Sequence, residues 1–97
     1  MADIIGRGPD VRLSIAPGVH FRAIDDEIIL LDAAAEHYYG LSGSGAVAWL
    51  SLTETGDLEA AVAAVCRDFD VEPATARADI SELVQSLLEK RFLVTSG

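Results

Sequence analysis

The chain has 97 residues and carries seven lysines and arginines against sixteen aspartates and glutamates, so its formal net charge is −9. This length supports one hydrophobic core and no second domain, and we expect a single domain over residues 1–97. A duplex-DNA or RNA binder normally presents a basic face to the phosphates, so the acidic balance argues against a nucleic-acid partner. The hydrophobic fraction of 51% argues against intrinsic disorder.

Cysteine content and hydropathy indicate the compartment. Cys66 is the single cysteine, so an internal disulfide is impossible and a reducing cytoplasm is the predicted location. The first residues show no charged leader followed by an apolar run, which argues against a signal peptide. The apolar stretches stop well short of the roughly 20 residues that span a bilayer, so no membrane partner is expected.

The first half of the chain has the alternating pattern of β-strands. Residues 1–10 are rich in Gly, Pro and Asp and predict a flexible arm. Alternation of apolar and polar residues then recurs in short segments bounded by turn residues, which predicts an antiparallel meander. A short strand signal at residues 11–15 precedes the three predicted strands of the meander, 19–24, 27–32 and 37–41, with turns at 16–18, 25–26 and 33–36.

After Leu41 the apolar period becomes helical. Hydroxyl caps from Ser42 and Ser44 are expected to start a first helix, Asp57 to cap a second, and Pro73 to lie in the first turn of a third. The sequence therefore predicts an α+β domain, a three-stranded antiparallel sheet followed by three helices, with Phe92-Leu93-Val94 closing on the core. The apolar positions are Leu58, Val62, Val65 and Phe69 in the second helix and Ala76, Ile80, Leu83, Val84, Leu87 and Leu88 in the third.

Motifs for catalysis or metal binding are weak. His20 and His37 are seventeen residues apart and lack the spacing of zinc ligands. Cys66 with a histidine would make a nucleophile pair, but its position beside an apolar helical stripe favours a small buried side chain. The run Asp25-Asp26-Glu27 is better explained as a solvated turn than as a cation site, because adjacent strand residues point to opposite faces. No catalytic residue, metal or cofactor is expected.

A recognition surface is the remaining possibility. A strand at the edge of a sheet presents unpaired N–H and C=O groups, to which an extended peptide can add as another strand. The third predicted helix has more apolar positions than one core face needs. Either these extra residues line a groove beside the strand, or they pack on the second helix and the C-terminal segment.

The chain resembles the PqqD-like family in the order and spacing of several short motifs. Members typically show an Asp, a short turn, Tyr-Tyr-x-Leu-Asn-x-Thr-Gly and then a helix with a tryptophan. Here Ser42 and Ser44 replace the usual Asn and Thr, and Arg91 stands where many members have the Gly that ends the third helix. The likeness covers about residues 19–94, and its matching positions include Asp32, Tyr38, Tyr39, Leu41, Gly45, Trp49, Pro73, Phe92 and Leu93.

This resemblance implies a winged-helix-like RiPP recognition element, a domain that binds the leader segment of a ribosomally synthesised precursor peptide. The leader of such families docks as an antiparallel strand on the third strand of the sheet and against the third helix. That implies a site formed by strand 36–41 and helix 73–91. Carried over by position, the peptide-binding residues are Glu36, His37, Tyr38, Tyr39, Gly40, Leu41, Arg77, Asp79, Ile80, Leu83, Val84 and Leu87.

The resemblance also suggests partners. A free-standing domain of this type looks most like the leader-binding half of a split lasso-peptide maturation protein, which implies a separate cysteine-type leader peptidase and an asparagine-synthetase-like cyclase. The alternative within the family is the chaperone of pyrroloquinoline quinone biosynthesis, which presents its precursor to a radical-SAM enzyme.

Two functions outside the family stay open on the sequence. A winged-helix DNA regulator would share the architecture, but its recognition helix would here carry Asp79, Glu82 and Glu89 beside its basic residues. A small hydrolase acting alone would depend on Cys66.

Overall fold

The computed structural model describes residues 12–96. The expected flexible arm over residues 1–10 lies outside the described residues, as does Val11 at the start of the first predicted strand. The elements in chain order are β1 (Arg12–Ile15), β2 (Val19–Ile24), β3 (Glu27–Asp32), β4 (His37–Ser42), α1 (Ser44–Thr55), α2 (Leu58–Asp68), α3 (Pro73–Glu89) and β5 (Leu93–Ser96).

The central sheet is the predicted three-stranded antiparallel one, in the order β2-β3-β4. A two-residue turn joins β2 to β3, and its first residue, Asp25, has the left-handed φ of 54° that aspartate tolerates. The register pairs Ile28 with Leu41 and Leu30 with Tyr39, so apolar side chains from neighbouring strands share one face. That face packs on the helices, and Ile28, Leu30 and Leu41 are buried. The α+β prediction is confirmed.

The first strand departs from the predicted meander. β1 does not continue the three-stranded sheet but pairs antiparallel with β5, where Ile15 lies opposite Leu93. Two further backbone bonds hold β1 near the helices: the N–H of Leu13 donates to Gly56 at 3.0 Å and that of Ala16 to Phe92 at 3.1 Å. Alternation marks a strand but carries no information on its partner, which here comes from the other end of the chain.

The starts of the helices confirm two predictions and correct one. The Asp57 carboxylate accepts a hydrogen bond from the N–H of Glu59 at 3.1 Å, and Pro73 begins α3. The serine hydroxyls do not cap α1; its N-cap is Gly43, with no side-chain cap bond. Gly43 has φ 57° and ψ −131°, a region open essentially to glycine, so the corner from β4 into α1 is made by backbone geometry.

The core lies between the inner face of the central sheet and the three helices. Trp49 of α1 is fully buried and meets the ring of Phe21 edge-on, with centroids 5.6 Å apart. The apolar stripe of α2 is shorter than predicted, because the helix ends at Asp68 and Phe69 is its half-exposed C-cap residue. Within residues 12–96, no helix has the length and apolar character that a membrane crossing requires.

Candidate functional site

Strand β4 lies at an edge of the central sheet. It pairs with β3 along one side, and no strand of the described residues pairs with its other side. The backbone groups on that side are available to an added strand. The prediction of strand 36–41 is one residue out of place, since β4 begins at His37 and ends at Ser42. Glu36 is in the preceding turn with a φ of 57°, which an extended strand does not allow.

Alternate side chains of β4 face opposite sides of the sheet. Leu41 is buried on the side of the helices, and Tyr39 on the same side packs on Phe92 with ring centroids 5.9 Å apart. Tyr38 projects from the opposite face and is 78% exposed. A strand added beside β4 would therefore send every second side chain toward the helices.

Helix α3 runs opposite to β4, because its C-terminal end lines one cavity with the start of β4, while Leu83 in its middle approaches the end of β4. A Cβ built on Gly45, at the start of α1, would lie 3.6 Å from a Leu41 methyl and 3.7 Å from a Leu83 methyl, so these two side chains converge near the end of β4. We call the space between the strand and the helix the β4–α3 groove. One cavity marks its end at the start of β4, and a second lies near its other end, between α2 and the start of α3.

The first cavity, of about 600 Å³, joins the start of β4 to the end of α3 and the turn that follows. The second, of about 240 Å³, lies where β4 has ended and α3 begins. The lining residues of the first are Asp32, Ala35, His37, Tyr38, Tyr39, Glu89, Lys90, Arg91 and Phe92, and those of the second are Ser44, Val65, Phe69, Val71, Ala76, Asp79 and Ile80.

Helix α3 carries two stripes of side chains. The first is its core contact, with residues that are at most 3% exposed: Ala76, Ile80, Val84 and Leu87. The second stripe is one residue away and consists of the partly or fully exposed residues Asp79, Leu83, Ser86 and Lys90. Asp79 and Lys90 each line a cavity, and Leu83 approaches Gly45.

This rotation of α3 corrects part of the predicted site. Val84 and Leu87 have no accessible surface, so they offer no contact to a peptide and belong to the core. Ile80 is 3% exposed and reaches only the edge of the smaller cavity. Asp79 lines the smaller cavity, and a Leu83 methyl lies near Gly45 and Leu41. That these two residues contact a peptide stays a prediction.

Arg77 lies on the α2 side of α3 and not in the groove. Its Nε donates to the Glu59 carboxylate at 3.2 Å, and its terminal nitrogen donates to the other oxygen of that group. The bond to Glu59 raises the pKa of the Arg77 guanidinium above its ordinary value. Both side chains are at least half exposed, so the pair fastens the outer surface of α3 to α2. Arg77 lines neither cavity of the groove. Its contact with a peptide stays a prediction.

The other candidate chemical groups are not assembled. His37 pairs across the sheet with Asp32 and His20 with Leu31, so the two histidines lie on opposite faces. Cys66 is partly buried against the core. Within residues 12–96, no cluster of three or more His, Cys, Asp or Glu side chains is placed to hold a metal ion.

The residues at the end of α3 were not among the predicted site residues. Lys90, Arg91 and Phe92 line the larger cavity together with the first residues of β4. Two features of the sequence could have indicated them. The helical spacing from Leu83 through Ser86 to Lys90 puts these residues on one stripe, and Arg91 stands where glycine commonly ends the helix.

Comparisons with known proteins agree with this fold. The family model described as Coenzyme PQQ synthesis protein D (PqqD) matches residues 27–93. A solved structure described as TbiB1 in complex with the TbiA(beta) leader peptide is similar, with a TM-score of 0.76 and 32% identity over 82% of this chain and 93% of that one.

A second solved structure, described as lasso peptide synthetase B1 complexed with the leader peptide, has a TM-score of 0.75 and 25% identity. It covers 89% of this chain and 99% of the other. Among curated proteins, the search finds no match.

Proposed function

The chain belongs to the PqqD family, and we propose that it binds the leader segment of a ribosomally synthesised precursor peptide, specifically that of a lasso peptide. The observation that carries the proposal is the unpaired edge of β4 beside α3, in a chain that shares 32% identity with a protein solved with its leader peptide. The leader adds to the sheet as a fourth strand, antiparallel to β4.

The groove supplies two kinds of contact. Backbone groups of β4 hold the peptide in register, whatever its side chains are. Every second peptide side chain then points between Tyr39 on the strand and Leu83 on the helix, which are both partly exposed. Backbone pairing provides affinity, and the spacing of these apolar contacts provides selectivity.

Catalysis is assigned to other chains in this proposal. The domain delivers its precursor to a separate cysteine-type leader peptidase and an asparagine-synthetase-like cyclase, and it acts in the cytoplasm, where ribosomes make the precursor. Support comes from the kind of site present: an edge strand and an apolar groove suit peptide binding.

Isothermal titration tests the proposal. The titrant is a synthetic leader peptide from the precursor gene that neighbours the gene of this chain, and binding in the micromolar range or tighter is expected. A peptide of the same composition in scrambled order is the control. Absence of heat at high micromolar peptide, with the domain folded by circular dichroism, would overturn the proposal.

The family model itself favours a second candidate. A PqqD-type protein would present a pyrroloquinoline quinone precursor to a radical-SAM enzyme. The same titration separates the two functions when the leaders of a lasso precursor and of a pyrroloquinoline quinone precursor are compared, since binding by strand addition to β4 is expected for only one of them at micromolar concentration.

A further inference from the structure

The larger cavity of the β4–α3 groove is bordered by two adjacent cations. Residues 12–96 contain six lysines and arginines. Three of them are engaged: Arg12 donates to the Thr55 carbonyl at 2.6 Å, Arg67 lies 3.8 Å from Asp68, and Arg77 pairs with Glu59. Lys90 and Arg91 are in none of the ion pairs of the described residues, and both line the cavity. Asp32 and Glu89 also line this cavity, so the formal charge of its lining is zero, whereas the whole chain carries −9.

Arg91 is held in a backbone conformation that disfavours it. The N–H of Phe92 donates to Leu87 at 2.9 Å and that of Arg91 to Leu88 at 3.2 Å, the two bonds of a Schellman motif at the end of α3. Arg91 occupies the left-handed position of this motif, with φ 65°, where glycine carries no steric cost. A strained arginine that lines a cavity indicates a role for its side chain, since strain of this kind collects at ligand sites.

The direction of the added strand decides which part of the peptide meets these cations. β4 runs from His37, at the larger cavity, to Ser42, near the smaller one. An antiparallel strand therefore begins near Ser42 and leaves the groove at the larger cavity. The C-terminal part of the docked segment passes Lys90 and Arg91.

Resting on the proposed leader-binding function, we propose that Lys90 and Arg91 recognise a carboxylate side chain, aspartate or glutamate, in the C-terminal part of the docked leader. Arg91 can donate to both oxygens of a carboxylate, and Lys90 adds a second positive charge. Asp32 and Glu89 line the same cavity, and Asp32 accepts a hydrogen bond from the Ala35 N–H at 3.3 Å. With these two acids present, the cavity suits one carboxylate and not a run of them.

The test uses a substitution series of the synthetic leader peptide, with glutamate and then lysine placed at each position in turn. Fluorescence anisotropy measures the affinity of each peptide for wild type, for Arg91→Gln and for Arg22→Gln. Arg22 is an exposed arginine of β2, two strands away from the free edge of β4, so its substitution removes the same charge at a distance from the groove.

In wild type, glutamate should bind about five- to tenfold more tightly than lysine at one or two positions in the C-terminal part of the docked segment, as expected for a charge-assisted contact. Arg91→Gln should reduce this preference to less than about twofold, and Arg22→Gln should leave it intact. A preference that persists in Arg91→Gln, or that occurs only in the N-terminal part of the segment, would overturn the inference alone. If wild type binds no peptide of the series, the proposed function itself fails.

A second variant separates recognition from helix stability. Arg91→Gly removes the side chain and relieves the left-handed backbone, so its melting temperature should equal or exceed that of wild type while the preference for glutamate is lost. Arg91→Lys keeps the charge and should retain most of the preference. Full preference in Arg91→Gly would mean that the arginine only ends the helix, and would overturn the inference.

Discussion

The two stripes of α3 differ by one residue in sequence and have opposite roles. Val84 is fully buried, whereas its neighbour Leu83 lies at the groove beside Leu41 and Gly45. One residue along a helix turns the side chain by about 100°, which separates the core from the surface. Burial of a side chain such as Val84 contributes roughly 1.5–3 kcal/mol. A helix with many apolar residues can therefore form two surfaces, and the rotation of the helix about its axis determines which residues lie on each surface.

The largest effect is expected from a charge on the core stripe. Val84→Glu buries a carboxylate with no partner, at a cost on the order of 4 kcal/mol, against the roughly 5–15 kcal/mol that stabilises a typical domain. The far-ultraviolet circular dichroism signal should be lost, or its thermal transition should shift to much lower temperature. A variant with native stability and weakened peptide binding would instead place Val84 at the groove.

The same charge one residue earlier should act on binding. Leu83→Glu puts a carboxylate beside the apolar side chains of the groove and outside the core stripe. The domain should therefore stay folded, while leader affinity falls about tenfold or more. Leu50→Glu is the matched control, because Leu50 is 42% exposed on α1 and does not line either cavity of the groove. Titration of both variants checks this; equal affinities would contradict the assignment of the second stripe.

The smallest effect is expected on the α2 side of the helix. Arg77→Gln removes the exposed pair with Glu59, and such pairs contribute little in water. The melting temperature should change by about 2 °C or less, and leader affinity should equal that of wild type. A large loss of affinity in this variant would mean that Arg77 leaves Glu59 to contact the peptide.

Much of the fold was predictable because its signals are local. Alternation of apolar residues gave the three strands of the central sheet, Asp57 and Pro73 gave two helix starts, and each of these depends on a few neighbouring residues. The start of α1 was assigned to serine hydroxyls, but Gly43 makes it through a left-handed backbone. A short polar run permits both explanations, and only the path of the chain out of β4 distinguishes them.

The candidate site was predictable to a lesser extent. Strand β4 was predicted from alternation together with the family resemblance, and its predicted bounds differ from the observed ones by one residue. On the helix, the predicted residues fall on different surfaces: Asp79 lines a cavity, Val84 and Leu87 are buried in the core, and Arg77 pairs with Glu59. Lys90 and Arg91 line the larger cavity but were not among the predicted residues. Helical periodicity groups residues into stripes, but nothing in the period says which stripe the sheet covers.

The fold class, the order of the first four strands and the three helices, and the likeness to the PqqD-like family follow from the sequence alone, whereas the strand β5 does not. These depend on local periodicity and on the spacing of motifs, which are properties of the chain. The tertiary structure decided that β1 pairs with β5, that β4 keeps a free edge, and that α3 turns Leu83 and Lys90 toward that edge. Such choices depend on the packing of segments far apart in the chain, which bury one face of each element and thereby leave the other for a partner.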